Sequence, residues 1–259
     1  MKRFQVALLM GVLAVPAFAA DTHATLETAR QTVEKADYRA SGHLVTVDAS
    51  GKRTSYPISF KAHWFSGTLK VLVEVAPASG SAVKGTAGLH FLLEMRPDGA
   101  NSIRVAHQGD AAASVLPVSQ WEDGVNGTGY SFEDFLDAEL FWPGQQVTEH
   151  VKYGARDCDL VKSTPGAGDK TRYSGASSWL DRATGYPVYQ EKTVKVSGAV
   201  KQYTAYGLRH DGGVWSASQV EEKTLGQAGS TLLIVDRGSA KANLTLRDFS
   251  AAQLTHFQD

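Results

Sequence analysis

The stretch Arg53-Thr54-Ser55-Tyr56-Pro57-Ile58-Ser59-Phe60-Lys61-Ala62-His63-Trp64 decides the fold class. Tyr56, Ile58, Phe60, Ala62 and Trp64 fall on one side of it, and Ser55, Ser59, Lys61 and His63 on the other. Successive residues of a strand point to opposite faces, so this is a strand with one buried face. Pro57 has no N–H to give to a ladder and argues for an edge or a strand start at that point. Residues 40–47 precede it as a further strand, and Asp48-Ala49-Ser50-Gly51-Lys52 is a turn-rich hairpin connection between the two. The alternation recurs in Leu69, Val71, Val73 and Val75, and again in Leu89, Phe91, Leu93 and Met95. Further strands are expected at 102–107, 147–153, 156–164, 171–180, 187–196, 200–209, 214–223 and 231–236. Turn signals such as Pro97-Asp98-Gly99, Pro165-Gly166 and Asp211-Gly212-Gly213 separate them. About eleven or twelve strands on short connections make one large, strongly curved antiparallel meander.

Helical periodicity enters twice. Leu26, Ala29, Val33 and Ala36 are spaced by three and four, which predicts a short amphipathic helix before the strands. Between residues 127 and 144, Ser131-Phe132-Glu133-Asp134 offers a hydroxyl N-cap with an acid three residues on. Phe132, Phe135, Leu136, Leu140 and Phe141 then recur at helical spacing until Pro143-Gly144, predicting a very apolar helix over 131–142 that packs on the concave face of the sheet.

The amino terminus has the order of a secretory leader: Lys2 and Arg3, an apolar run from Phe4 to Val15, then Ala17-Phe18-Ala19. The apolar run is too short to span a bilayer, so residues 1–19 are expected to be removed and 20–259 to form a single soluble domain of an envelope compartment. The chain carries 26 Lys+Arg against 27 Asp+Glu. Loss of Lys2 and Arg3 leaves a net charge of about −3, with no basic stripe for nucleic acid. The single cysteine, Cys158, rules out an internal disulfide and is not at a lipidation point. Its place mid-strand between Asp157 and Asp159 predicts a buried, unreactive thiol, since neighbouring carboxylates raise a thiol pKa.

Signatures of common catalysts are absent: no Gly-x-Ser-x-Gly, no His-Glu-x-x-His and no phosphate-binding glycine loop. His43 and His63 do not oppose one another about their hairpin, so no metal site is expected. Glu221 and Glu222 are strand neighbours facing opposite ways. Glu133 and Asp134 sit in a first helical turn, where negative charge favours the helix dipole. No enzyme activity, metal or cofactor is expected. The large apolar side chains have two readings that pattern alone leaves open. Tyr56, Phe60, Trp64, Phe91 and the Phe132 helix fill an ordinary core, or they line an apolar cavity on the concave face.

Several segments together resemble a known family. Ala40-Ser41-Gly42-His43-Leu44, the Gly51-Lys52-Arg53-Thr54 turn, His63-Trp64-Phe65 and Asp181-Arg182-Ala183-Thr184-Gly185-Tyr186-Pro187 all contribute. The most specific is Gly127-Thr128-Gly129-Tyr130-Ser131-Phe132-Glu133-Asp134-Phe135. These are similar to the outer-membrane lipoprotein-sorting proteins, relatives of the LolA/LolB-type carriers. The resemblance implies an unclosed β-barrel of about eleven antiparallel strands with short lid helices around a hydrophobic cavity. It also implies a periplasmic carrier of lipoprotein acyl chains or lipids, exchanging cargo with membrane-bound donor and acceptor proteins. The alternative is a non-transport envelope sensor or interaction domain of the same fold. If the chain is a carrier, Tyr56, Ile58, Phe60, Trp64, Leu69, Val71, Phe91 and Leu93 are expected to line the cavity, with Phe132, Phe135 and Leu136 on the lid.

Overall fold

The computed structural model describes residues 18–78 and 88–257, with side chains from Ala24 onward. The basic and apolar parts of the expected leader lie outside the described residues. Helix α1 (Phe18–Glu34) is followed by β1 (Asp37–Val47), β2 (Arg53–Phe65), β3 (Thr68–Val75), β4 (Leu89–Met95), β5 (Ser102–His107) and the two-residue β6 (Ser114–Val115). After a long connection come β7 (Gly144–Tyr153), β8 (Arg156–Thr164), β9 (Tyr173–Asp181), β10 (Pro187–Val194), β11 (Val200–Asp211), β12 (Val214–Thr224) and β13 (Ser230–Ala240). A 3-10 turn, Leu246–Phe249, and helix α2 (Ala251–Thr255) end the described chain. Among the described residues no helix is long and apolar enough to cross a membrane.

Among the described residues all the strands belong to one 13-stranded sheet in the order β6-β5-β4-β3-β2-β1-β13-β12-β11-β10-β9-β8-β7. The mainly antiparallel, unclosed architecture agrees with the sequence reading, but the order is not that of a simple meander. The first strand pairs with the last, Tyr38 opposite Ala240 and Val47 opposite Ser230, so the ends of the chain meet in the middle of the sheet. Its two free edges, β6 and β7, are consecutive in sequence, and the segment between them spans the opening. The seam depends on Gly42, which sits where the β1–β13 register shifts by one residue. A Cβ there would overlap the Ile234 carbonyl oxygen, so the bulge accommodates only glycine.

Pro57 sits inside β2, which is an interior strand, yet the local reading holds. The β2–β3 ladder begins at Ile58 opposite Val75, and Pro57 only accepts a bond from Ala76 N (2.9 Å). Its missing N–H therefore falls where β3 has already ended.

The expected helix over 131–142 is replaced by two 3-10 turns, Phe132–Phe135 and Ala138–Leu140. Leu136 between them is extended (φ −123°, ψ 138°). Phe132 and Leu136 join a cluster with Phe91, Val73 and Ile103, whereas Leu140 joins another with Leu26 and Ala29 of α1, Val161 and Leu180. A straight helix would hold these side chains on one stripe and could not serve both clusters. The cap at Ser131 does form: its N–H and hydroxyl both donate to Asp134 Oδ2, at 2.6 and 2.7 Å. On the opposite face of the sheet, Leu72, Leu92 and Ala106 are covered by Leu244, Phe249 and Leu254 of the carboxyl-terminal segment. β3 and β4 are thus buried on both sides.

Candidate functional site

A cavity of about 600 Å³ lies on the concave side of the sheet, within the size range of small-molecule sites. Its wall is built from the end of α1, the 3-10 segment, and the inward rows of β2, β3 and β10–β13. Strand β2 passes from core to cavity along one face. Tyr56 and Ile58 are buried under the 3-10 segment, Phe60 and Ala62 line the open space, and Trp64 stacks on Phe141 at 5.8 Å. Leu69, Val71 and Phe135 also line the cavity. Phe91, Leu93, Phe132 and Leu136, with Tyr56 and Ile58, instead fill the adjoining core, where Phe91 meets Phe132 and Phe135 edge-on at 5.1 and 5.3 Å. The packed cluster and the open space border one another, and Phe60, Ala62, Leu69, Val71 and Phe135 belong to both. Additional apolar wall comes from Val33, Val220, Leu233 and Val235, and Trp215 lines the cavity beside Gly212 and Gly213 of the β11–β12 turn.

The site also has a polar floor that the sequence reading did not foresee. Asp134, expected only to cap a helix, is also ion-paired with Lys201 at 2.7 Å and accepts a hydrogen bond from the Tyr173 hydroxyl. Burial would raise its pKa, but Lys201 and Lys192 outweigh that and hold it down to about 2. Lys192 is ion-paired with Glu139 at 3.0 Å, and Gln190 Nε2 donates to the same carboxylate at 2.6 Å. Burial works against the Lys192 ammonium, and the surrounding Glu139, Asp137 and Asp134 more than offset it. Glu133 turns the other way and accepts bonds from Arg172 N (3.0 Å) and Thr171 Oγ1 (3.1 Å) at the entry to β9. Burial pushes its pKa up to about 7 despite those bonds. Asp137 lines the cavity, and its carboxylate has no hydrogen bond or ion pair among the described residues.

These contacts make the 131–142 segment an anchored wall, tied to β9, β10 and β11 through buried charges. Ser131 Oγ lies 3.3 Å from Lys201 Nζ, but the serine is fully buried and is not part of the cavity wall, so it offers no nucleophile to a bound molecule. Glu221 and Glu222 face opposite ways as expected, Glu222 buried and Glu221 paired with Lys223 at 3.1 Å. Cys158 is buried, and its thiol is pushed up to about 11 by burial and then by Asp181, with Asp157 a lesser contributor. The signal for the polar floor was present in β10 and β11. Gln190 and Lys192 share the inward parity of Val188 and Val194, and Lys201 that of Tyr203.

The fold is shared with solved structures of low sequence identity. A domain from Vibrio parahaemolyticus, provisionally named as an outer membrane lipoprotein-sorting protein, superposes with a TM-score of 0.76 at 18% identity over 90% of this chain and 99% of its own. A DUF1329 family protein from Desulfovibrio piger gives 0.74 at 16% identity, covering 91% and 99%. A LolA superfamily protein from Nitrosomonas europaea gives 0.64 at 14% identity, covering 90% and 99%. The fold is therefore LolA-like, in agreement with the resemblance read from the sequence. No curated protein sequence matches the chain. Residues 114–256, from β6 through the polar floor to α2, match a family model described as an uncharacterized protein, and since that stretch is more than half of the 259 residues, the chain belongs to that family.

Proposed function

We propose that the protein is a periplasmic carrier that takes acyl chains of lipoproteins or lipids into the concave cavity of its half-barrel, for outer-membrane lipoprotein sorting. The observation that carries this reading is the hollow itself. A sheet with Leu69, Val71, Val220 and Leu233 on its inward rows leaves about 600 Å³ beside Phe60 and Phe135, next to a buried cluster around Phe91 and Leu93. Each methylene moved out of water contributes about 0.8 kcal/mol, so a sixteen-carbon chain gains on the order of 10 kcal/mol if fully enclosed. Removal of the leader at residues 1–19 would deliver the carrier to the periplasm. Membrane-bound donor and acceptor proteins would load and unload it.

Native mass spectrometry of protein purified from its own periplasm tests the reading: co-purified lipid or lipopeptide is the expected result. A titration of delipidated protein with a neutral twelve-carbon alcohol, followed by tryptophan fluorescence, to which the cavity-lining Trp215 contributes, is the second test. An unliganded protein with no saturable response would leave a sensor or interaction domain as the better account.

A further inference from the structure

We infer that the cavity selects amphiphiles with an amine headgroup over those with a carboxylate or phosphate, and that Asp137 receives the headgroup. The inference rests on the carrier reading and adds the chemical class of its ligand.

The cavity lining is of two kinds. Phe60, Ala62, Leu69, Val71, Val220 and Leu233 give an acyl tail nothing but carbon, and Tyr130, Asp134, Asp137, Tyr186, Gln190 and Lys192 bring polar groups to the same space. A ligand that satisfies both must be amphiphilic, and the charge pairing on the polar side decides its head. The two buried cations are already committed, Lys192 to Glu139 and Lys201 to Asp134. Lys35 and Lys241 reach the wall only as exposed residues at its rim, and Asp37 there is engaged by His63 at 3.1 Å and by the N–H groups of Asn243 and Leu244. What remains is an acceptor without a donor, the Asp137 carboxylate. Glu139 stands two residues further along, and Glu222 is buried behind the floor.

An anionic head inside the cavity would meet no uncommitted buried cation among the described residues, only the exposed Lys35 and Lys241, and would add a buried charge of the wrong sign. An ammonium would complete the missing pair. Tyr130 and Tyr203 line the same cavity, and aromatic rings favour a cation over an anion. The groups around Asp137 give its affinity a pH dependence. Burial and Glu139 push its pKa up to about 6, Lys192 of β10 opposes them, and the Tyr130 and Tyr186 hydroxyls complete the shell. The amine preference is therefore full above about pH 7 and fades as acidification protonates Asp137.

The test is displacement of neutral N-phenyl-1-naphthylamine from the mature protein by dodecylamine, dodecanol and laurate, each kept below its micelle concentration, near pH 7.5 and near pH 5. At the higher pH dodecylamine should compete at roughly tenfold lower concentration than laurate, with dodecanol between them. Asp137→Asn should abolish the advantage of dodecylamine over dodecanol, which separates the pocket from surface attraction of cations. The wild-type comparison of amine with laurate keeps the inference testable if that variant is poorly folded. Equal or tighter binding of laurate, or an amine preference that persists in Asp137→Asn, would overturn the inference while leaving the carrier reading in place. Failure of the probe and of dodecanol to bind would overturn both.

Discussion

Glu133 offers a quantitative check on the buried network. Its carboxylate is 7% exposed, accepts bonds from the Arg172 backbone N–H and the Thr171 hydroxyl, and titrates at about 7 instead of 4.5, mainly because it is buried. A carboxylate whose pKa is raised on folding binds more protons in the folded state between those two values, so stability must fall as pH rises through that window. At 1.36 kcal/mol per unit the full penalty is about 3 kcal/mol above pH 7, and only about 1 kcal/mol is felt at pH 5. Glu133→Gln keeps one acceptor oxygen and removes the charge. Urea denaturation of both proteins at pH 5, 6, 7 and 8 should show the variant gaining on wild type by about 2 kcal/mol across that range, whatever its offset at pH 5. The slope of the difference is the decisive quantity, because the contribution of Asp137 is common to both chains and cancels. A difference that is flat with pH, or one that moves toward wild type, would refute the assignment of a protonated Glu133 to the folded state.

The Asp134–Lys201 pair should behave as a buried ion pair: Lys201→Met alone should cost about 3 to 5 kcal/mol by leaving Asp134 unpaired, and adding Asp134→Asn should recover part of it in the same denaturation assay. A double variant no more stable than the single one would count against that coupling. Phe135→Asp should still unfold cooperatively in a thermal melt, because Phe135 borders the cavity, yet bind dodecanol at least about tenfold more weakly. A folded variant with unchanged binding would remove Phe135 from the site. Cys158 should react with a thiol reagent far more slowly in native than in urea-unfolded protein at neutral pH, its thiol being buried and pushed up to about 11, and equal rates would contradict that burial.

The strands were legible because a single inward face imposes a period of two on the sequence, and β8 falls at the residues expected. Their order was not. β1 and β13 carry the same alternation as every other strand, and nothing local distinguishes a strand that pairs only with its hairpin partner from one that also meets a strand about 200 residues away. The bulge at Gly42 was visible only as part of a resemblance, and its role emerges from the neighbouring Ile234 carbonyl. Apolar spacing at 132, 135, 136, 140 and 141 suggested one helix, because a spacing rule cannot see that two separate clusters compete for those side chains. The same limit applies to the cavity. Tyr56, Ile58, Phe60 and Ala62 share one parity, and what stands above each of them decides whether it is core or wall. Lys192 and Lys201 were overlooked because a lysine in a strand reads as solvent-facing unless the parity of its neighbours is weighed against it.

The seam between the first and last strands also constrains the order of assembly. During synthesis β1 can find β2 at once, but its other partner, β13, emerges only after nearly every other strand has been made. Until then the amino-terminal half presents an unpaired edge in the middle of the eventual sheet, and the segment that spans the opening lacks the β9–β11 residues that hold it. Native closure is therefore delayed until the polypeptide is nearly complete, with the hazard that the waiting edge needs protection from other strands on the way.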